Sequence, residues 1–407
     1  MNFSFNCVRA SVVKIGIMTY IMKKIAIVIP KYGLIGGAEQ FASELTEKLS
    51  GGRQDEFHVL ANRWQAISPS FRFHKIPIIS FPKYLTTISF AWLVQRRLQR
   101  NHFSLVHSHE RIFTADLFTL HGVPHRYWVH HVRKKRLSLY DTATAWVERK
   151  LIYEGGCKKF IAVSHLTKDI FLQEYPINPG LVDVIHPGVN LRDYQCKNKN
   201  DVRHAVRNTL GIGPDDPVIV FASMNFEIKG LDDILMSLGQ FKMRNSKFKL
   251  VVAGKGNTKK YEKIIREAGL SGNVIFTGTL AKEKLVDLYL AGDLYIMLSK
   301  FDTFGMVVLE AMAAGLPVMI SSHVGAKDLV QEGQNGFIID NPSDYARIMS
   351  RLEILLNENC RRDMSASAFQ TASQNTWDSV VEKYQIIYND ILAAKGRMRQ
   401  SGSNDRI

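Results

Sequence analysis

Short apolar runs alternate with helical patterns along this chain, and the alternation is completed twice. Predicted strands cover residues 25–29, 57–61, 73–78, 105–109, 117–121, 159–163 and 182–186 in the first half, and residues 218–223, 249–254, 274–277, 294–298, 318–320 and 336–339 in the second. Strands and helices that alternate over such lengths are typical of parallel sheets covered by helices on both faces. The sequence therefore predicts an α/β fold with two doubly wound parallel-sheet domains.

The length of the chain agrees with two domains. Its 407 residues are too many for one hydrophobic core, and 46% hydrophobic residues provide ample core material. We predict an N-terminal domain over residues 22–190, a second domain over 191–375, a helix over 376–395, and a polar tail over 396–407 that frays.

The four cysteines, Cys7, Cys157, Cys196 and Cys360, lack metal-ligand spacing, which favours free thiols in a reducing cytoplasm.

The first 21 residues require a separate interpretation. Residues 8–22 are apolar enough to imitate a signal sequence, yet a predicted buried strand follows at once, with no cleavage region between them. We therefore expect Met22 to be the true start and residues 1–21 to be a mis-called upstream extension, with a membrane-associated leader as the alternative.

Positive charge is concentrated in the first half of the chain. Residues 1–200 contain 28 Lys and Arg against 14 Asp and Glu, whereas residues 201–407 contain 25 against 24. The densest basic segment mixes aromatic residues with Arg133, Lys134, Lys135 and Arg136, a composition that suits an anionic membrane surface or an anionic acceptor. A solvated basic face is the alternative, and nucleic-acid binding is disfavoured because no RNA- or DNA-binding module accompanies the charge.

Residues 299–318 contain two carboxylates, Asp302 and Glu310, on either side of a predicted helix start. A helix is predicted over residues 304–314, after a buried strand, with Gly305 at its beginning. A helix N-terminus offers unpaired amide donors and the positive end of the helix dipole, so it can bind a diphosphate without a metal. The predicted donors are the backbone amides of Phe304, Gly305, Met306 and Val307. Glu310 would accept ribose hydroxyls, and Asp302 would accept hydroxyls of a sugar.

This segment resembles the acidic-x7-acidic signature of the retaining glycosyltransferases of family 4, which have two Rossmann-like domains in the GT-B arrangement. The resemblance covers residues 22–395 and implies a nucleotide-diphosphate sugar as co-substrate, a hydroxyl acceptor and retention of anomeric configuration. It also implies that the helix over residues 376–395 returns to the N-terminal domain. The family more often has glutamate at the position of Asp302, so the identity of the donor sugar does not transfer with the resemblance.

Two loops of the first domain extend the resemblance. The run that contains Gly36 and Gly37 follows the first strand and resembles the family's acceptor and phosphate loop. His121, which precedes a glycine, resembles the family histidine beside the donor phosphate and the reacting sugar, while a satisfied histidine at a strand end is the alternative. We expect His109 to line the acceptor cleft. His107 and His109 have metal-like spacing but no third ligand in the sequence, so we predict no metal site.

Three residues of the second domain complete the predicted site. Lys229 follows a strand and could reach a diphosphate with its flexible charged stem. The family frequently has an arginine near the position of Ser223, and this chain has none there. Gly254 follows the next strand, and we expect it near the nucleotide base.

Together these features predict a metal-independent hexosyltransferase that uses a nucleotide-diphosphate sugar, with UDP-sugar the expected donor, and acts on a bacterial cell-envelope glycan or glycolipid. No Asp-x-Asp sequence occurs, so a metal-bridged diphosphate has no support in the sequence. Residues 146–154 and 160–164 resemble enzymes of lipopolysaccharide core assembly of the heptose α-glucosyltransferase type, which would act at the cytoplasmic face of the membrane. A nucleotide-sugar epimerase of the same architecture and a non-catalytic membrane scaffold are the alternatives.

Overall fold

The computed structural model describes residues 22–34, 36–65, 71–243 and 247–404, and the side chains up to residue 397. The interpretation of residues 1–21 lies outside the described residues, as does Cys7. The other three cysteines are free thiols.

Seven parallel strands form the first sheet, with β1 and β6 at its centre. The elements of this part are β1 (Lys24–Val28), β2 (Lys31–Tyr32), α1 (Gly37–Gly51), β3 (Glu56–Ala61), β4 (Arg63–Trp64), β5 (Arg72–Lys75), α2 (Leu85–Arg100), β6 (Leu105–Ser108), β7 (Leu117–Leu120), α3 (His125–Tyr127), α4 (Leu139–Glu154), β8 (Lys159–Ala162), α5 (His165–Glu174), β9 (Val182–Val184), α6 (Arg192–Gln195) and α7 (Lys199–Thr209). The strand order is β5-β3-β1-β6-β7-β8-β9. A π-helical turn, Trp128–Val132, follows α3, and β2 pairs with β4 in a small separate sheet.

Six parallel strands form the second sheet, in the order β12-β11-β10-β13-β14-β15. The elements are β10 (Val218–Ser223), α8 (Leu231–Lys242), β11 (Lys249–Gly254), α9 (Thr258–Glu267), β12 (Val274–Gly278), α10 (Lys282–Ala291), β13 (Leu294–Met297), α11 (Met306–Ala313), β14 (Val318–Ser321), β15 (Gly336–Ile339), α12 (Tyr345–Leu356), α13 (Glu358–Gln374) and α14 (Trp377–Asn404). A 3-10 turn, Gly325–Leu329, lies between β14 and β15.

Helices cover both faces of each sheet, which is why the central strands are mostly apolar along their whole length rather than at alternate positions. Strand β10 illustrates this, because five successive residues from Val218 to Ala222 are buried. The two parallel-sheet α/β domains confirm the fold class predicted from the sequence. In both sheets the strand order reverses at the first strand, between β1 and β6 and between β10 and β13. Such a reversal opens a crevice at the carboxyl ends of the two strands, where ligands of open α/β sheets bind.

The last helix, α14, crosses back to the first sheet and completes its core. The Trp377 ring packs 5.2 Å from the Phe41 ring of α1, and the phenol groups of Tyr384 and Tyr388 hydrogen-bond Thr119 and His107 at 3.0 and 2.8 Å. The chain approaches Trp377 closely at Gly188, where an added Cβ would lie 2.5 Å from the Trp377 backbone nitrogen. The helix therefore supplies both apolar contacts and hydrogen-bond partners to buried groups of the first domain.

Two element boundaries differ from the sequence predictions. Helix α11 begins at Met306, two residues after the predicted start, because Gly305 adopts a left-handed conformation with φ 89° and caps the helix. Helix α14 continues to Asn404, past the predicted end at Lys395. Extending a helix that is already nucleated requires only one further backbone hydrogen bond per residue, which polar residues can supply.

We expect truncation of Trp377 to destabilise the first domain. Trp377 is 3% exposed, so Trp377→Ala should lower the free energy of unfolding by about 3–5 kcal/mol, the usual cost of removing a buried indole. Ile386 lies on the same helix and is 62% exposed, so Ile386→Ala should change it by less than about 0.5 kcal/mol. Urea unfolding followed by circular dichroism would measure both, and equal effects of the two substitutions would contradict the packing of α14.

Candidate functional site

Lys229 and Asp302 meet at the crevice where the strand order of the second sheet reverses. Lys229 lies in the turn between β10 and α8, and Asp302 follows β13, the neighbouring strand. The Lys229 ammonium donates a hydrogen bond to Asp302 Oδ2, and the two side chains are 20% and 17% exposed. The sequence predicted separate roles for these residues at a diphosphate and a sugar. The structure pairs them, so each charge is held by the other beside the crevice.

The backbone around Gly305 prepares the start of α11 to receive an anion. The other oxygen of Asp302, Oδ1, accepts a hydrogen bond from the Phe304 amide at 3.2 Å, which turns the chain into the helix. An added Cβ at Gly305 would lie 3.0 to 3.3 Å from Val324, Met297 and Asp302, and its φ of 89° is strained for any other residue. The first amides of a helix have no acceptor within the helix, so the amides at this end can bind an oxyanion.

Glu310 lies on the second turn of α11, in a buried setting that favours the neutral acid. Burial raises the pKa of its carboxyl group to about 6, and the nearby positive charge of Lys282 acts in the opposite direction. The Lys282 ammonium is itself paired with Asp193 at 2.7 Å. Among the described residues, no cation lies within ion-pair distance of Glu310. Its carboxylate is therefore available to accept hydroxyl groups from a ligand.

Thr303, which lies next to Asp302, joins the two domains. Its hydroxyl donates a hydrogen bond to the backbone carbonyl of His121 at 3.0 Å. Its own carbonyl accepts hydrogen bonds from the hydroxyls of Ser164 at 2.6 Å and Thr167 at 3.2 Å, both at the start of α5. These contacts place His121, from the first domain, against the loop that carries Asp302.

His121 belongs to a group of three imidazoles at the ends of β6 and β7, in which His107 and His109 are buried and His121 is partly exposed. His121 Nε2 lies 2.8 Å from His109 Nδ1, so one of these two rings donates a hydrogen bond to the other. Burial lowers the pKa of His121 to about 3, and it lowers the pKa of His109 well below its usual value. Both rings are thus neutral at pH 7, and Nδ1 is the ring atom of His121 that remains for a ligand.

Both ring nitrogens of His107 have hydrogen-bond partners in the core, despite its metal-like spacing with His109. Its Nδ1 is hydrogen-bonded to Tyr388 and its Nε2 to Thr119, each at 2.8 Å. Because both ring nitrogens are engaged within the core, the structure gives His107 a packing role. A different group of possible metal ligands, His165, His186 and Asp328, lies between the domains.

The remaining predicted site residues fall into three places. Ser223 and Gly254 end neighbouring strands and are directly paired in the sheet, and an added Cβ at Gly254 would lie 1.7 Å from the Ser223 carbonyl oxygen. Gly36 and Gly37 form the start of α1, beyond the carboxyl end of β1. The basic residues predicted for the membrane or acceptor face, Arg133, Lys134, Lys135 and Arg136, are exposed in the segment before α4.

Sequence reasoning did not identify Thr303, Ser164 or Lys282 as site residues. Ser164 did carry a local signal, because a serine directly after a buried strand is typical of a helix N-cap, and here its hydroxyl accepts from the Thr167 amide. Thr303 gave no such signal, since its partners are more than one hundred residues away in the sequence.

The buried imidazoles predict that stability falls as the pH falls below about 6.5. The unfolded chain binds these protons near pH 6.5 but the folded chain only near pH 3, so each such histidine should cost about 1.4 kcal/mol per pH unit in this interval. His121→Asn should reduce the slope of unfolding free energy against pH by about 1.4 kcal/mol per pH unit, which corresponds to one proton. His204→Ala, at an exposed position of α7, should leave it unchanged. Urea titrations at several pH values would measure the slope, and an unaltered slope in the His121 variant would contradict a buried neutral ring.

Two family models match the chain. The model described as "Glycosyltransferase Family 4" matches residues 35–193, and the model described as "Glycosyl transferases group 1" matches residues 202–371. Among solved structures, the chain is similar to WaaG, a glycosyltransferase involved in lipopolysaccharide biosynthesis, with a TM-score of 0.75 and 20% identity over 89% of this chain and 99% of that one. It is also similar to Anabaena HepE in complex with UDP-glucose, with a TM-score of 0.69 and 19% identity over 91% of this chain and 100% of that one.

Curated relatives are similar at a comparable level. The D-inositol 3-phosphate glycosyltransferase of Streptomyces bingchenggensis is 26% identical over 331 residues, which are 76% of this chain and 70% of the relative. An uncharacterised glycosyltransferase of Methanocaldococcus jannaschii is 25% identical over 80% of this chain and 86% of the relative. With a family 4 domain followed by a group 1 domain on two facing parallel-sheet units, the chain belongs to the GT-B glycosyltransferases.

Proposed function

We propose that this glycosyltransferase is a retaining hexosyltransferase, which moves a hexose from a UDP-sugar to a hydroxyl group of a cell-envelope glycan or glycolipid such as lipopolysaccharide core. The observation that carries the proposal is the arrangement around Thr303. The segment around Thr303 brings together the start of α11, the Lys229–Asp302 pair and the neutral His121 of the facing domain.

The donor site is proposed to follow α11. The diphosphate would lie at the amides near Gly305, and the ribose hydroxyls would reach the Glu310 carboxylate one to two turns further along the helix. Lys229 would contribute its charge to the departing diphosphate, and Asp302 would hold the Lys229 ammonium and accept a hydroxyl of the sugar. The complexes of HepE with UDP and with UDP-glucose support a uridine donor for a protein of this fold.

Retention of configuration is proposed with the acceptor attacking from the face that the diphosphate leaves. The bond between the anomeric carbon and the phosphate oxygen breaks, the acceptor oxygen bonds to the same carbon, and the acceptor proton passes to the phosphate. His121, being neutral, would serve by hydrogen-bonding the sugar or phosphate through Nδ1 rather than as a cation. Closure of the two domains around the donor would exclude water that could otherwise hydrolyse it.

The acceptor is proposed to be anionic, because positive charge is concentrated in the first half of the chain. The similarity to WaaG, which is involved in lipopolysaccharide biosynthesis, supports a phosphorylated glycolipid. The similarity to D-inositol 3-phosphate glycosyltransferases favours a second candidate acceptor, a phosphorylated cyclitol such as inositol phosphate. Both acceptors would be attracted by the same positive field.

Attachment to the inner face of the cell membrane is the proposed location. Exposed aromatic rings accompany cations on α2 and α4, where Arg96 lies 3.7 Å from the Trp92 ring centre and Lys150 lies 5.3 Å from that of Trp146. These two tryptophans are 45% and 48% exposed. Rings and cations together suit the headgroup region of an anionic membrane. Over the residues that the structure describes, no helix is both long and apolar enough to cross a bilayer.

Variants of the two acidic residues separate the proposed enzyme from a non-catalytic scaffold. Glu310→Ala should weaken UDP binding by about tenfold to a hundredfold, because a charged acceptor of the ribose hydroxyls is lost. Asp302→Ala should leave UDP affinity within about threefold and lower kcat by about a hundredfold, because its sugar contact matters for transfer. Glu262→Ala, at an exposed position of α9, is the matched control. Wild-type binding and turnover in both site variants would contradict the roles assigned to Asp302 and Glu310, whereas absence of turnover in the unmodified protein would favour a scaffold.

Nucleotide binding provides the direct test of the donor site. Calorimetric titration of UDP, GDP, ADP and CMP into protein that starts at Met22, with and without EDTA, should give micromolar binding of UDP that is indifferent to the chelator. That result would support a diphosphate site made of helix amides and Lys229. Binding that requires a divalent metal, or binding of none of the four nucleotides, would contradict it. An epimerase would consume a UDP-sugar without any acceptor, which product analysis would detect.

A further inference from the structure

Three possible metal ligands converge at the interface of the two domains, close to the proposed donor site but separate from it. His165 begins α5 and His186 follows β9, both in the first domain, while Asp328 lies on the 3-10 turn after β14 in the second. Their ligand atoms all lie within 4.8 Å of one another. Asp328 Oδ2 is 3.1 Å from His165 Nδ1 and 3.0 Å from His186 Nε2.

The carboxylate of Asp328 has an unusual set of neighbours. Its Oδ2 atom faces three nitrogen atoms, because the backbone amide of His165 also lies 2.7 Å away. A carboxylate oxygen has two lone pairs, so three N–H donors on one oxygen exceed what it can accept well. Within the described part of the chain, no donor reaches the other oxygen, Oδ1. The side chain is 8% exposed, so solvent reaches this second oxygen only over a small area.

We propose that His165, His186 and Asp328 bind a divalent transition metal, with zinc as the expected ion, and that this metal fastens the two domains together. Two imidazoles and one carboxylate form a ligand set typical of zinc, whereas Mg²⁺ and Ca²⁺ prefer oxygen ligands. In a tetrahedral zinc site, bonds of about 2.0–2.1 Å place neighbouring ligand atoms about 3.3 Å apart, a few tenths of an ångström from the two separations between Asp328 Oδ2 and the imidazole nitrogens. Each imidazole would carry its proton on the nitrogen that faces away from the metal.

The surroundings provide a fourth coordination position and an entry path. The His165 side chain is 63% exposed, so solvent reaches the cluster from that side and a water molecule can complete the tetrahedron. His186 is 19% exposed and its ring is held against the Phe304 ring, with a centroid distance of 5.7 Å. One ligand is thus free to adjust by small rotations, and the other two are held in place.

The metal would act on the closure of the cleft. Gly325, at the start of the turn that carries Asp328, lies so close to the domain interface that an added Cβ would lie 2.1 Å from the Thr303 carbonyl of its own domain and 2.5 Å from Ser164 Oγ of the first domain. A bond from His165 and His186 through the metal to Asp328 would hold this contact between the domains. The inference concerns the geometry of the domains and does not depend on the identity of the donor or acceptor.

Zinc binding in the absence of nucleotide tests the proposal. Full-length protein freed of metal by a chelator should bind one Zn²⁺ at this site in competition with a fluorescent zinc indicator, and millimolar Mg²⁺ should not displace it. His165→Ala, His186→Ala and Asp328→Asn should each weaken this binding at least tenfold, while the exposed His204→Ala should not. Wild-type zinc affinity in any of the three site variants would overturn the assignment of that residue, and wild-type affinity in Asp328→Asn would overturn the bridge between domains.

Two further measurements keep the test independent of folding and of the proposed transferase activity. His165 is exposed, so His165→Ala should leave the melting temperature of zinc-free protein unchanged and still abolish the rise that zinc produces in the wild type. Small-angle scattering should show that zinc narrows the range of domain separations in the wild type but not in Asp328→Asn. Zinc bound with no effect on either quantity would contradict the fastening role. A failure of UDP binding would leave these results unaffected.

Discussion

One residue, Thr303, fixes the position of the first-domain side of the site relative to the second-domain side. Its carbonyl accepts hydroxyl donors from α5, its side chain donates to the His121 carbonyl, and its neighbour Asp302 is paired with Lys229. The contact is short-range and directional, so a displacement of the domains by even an ångström would break it. The relative placement of the imidazoles in one domain and the start of α11 in the other depends on this contact. An enzyme whose active site lies between two domains requires a contact that fixes their relative position.

The electrostatics of the cleft follow from burial more than from the number of charges. The imidazoles on the first-domain side are kept neutral, Lys229 and Asp302 compensate each other, and burial shifts Glu310 towards neutrality. The site therefore presents oriented amides and hydrogen-bonding groups rather than strong unpaired charges. Such a preorganised polar environment stabilises charge that develops in a transition state without first having to reorganise. The excess positive charge of the first half of the chain acts at longer range, on the approach of an anionic partner.

The sequence was sufficient for those features that depend on neighbouring residues. Apolar runs located the strands of both sheets, since a strand buried on both faces must be apolar throughout, and the resemblance of the acidic pair located the family. The start of α11 was misplaced by two residues because the left-handed conformation at Gly305 ends the loop there. The pairing of Lys229 with Asp302 and the contact of Thr303 with His121 were not predicted, because they join residues 73 and 182 positions apart. No local pattern encodes such distances, and only the order of strands in the two sheets brings these residues together.

The path of α14 has a consequence for how the chain folds during its synthesis. His107 is fully buried in the first domain, and its Nδ1 is hydrogen-bonded to Tyr388, which leaves the ribosome 281 residues later. Until then the nascent first domain exposes the apolar surface that α14 will cover, and its buried imidazole lacks one partner. The second domain is made in between and has all of its strands before α14 emerges. The first sheet to be translated is thus the last to be completed.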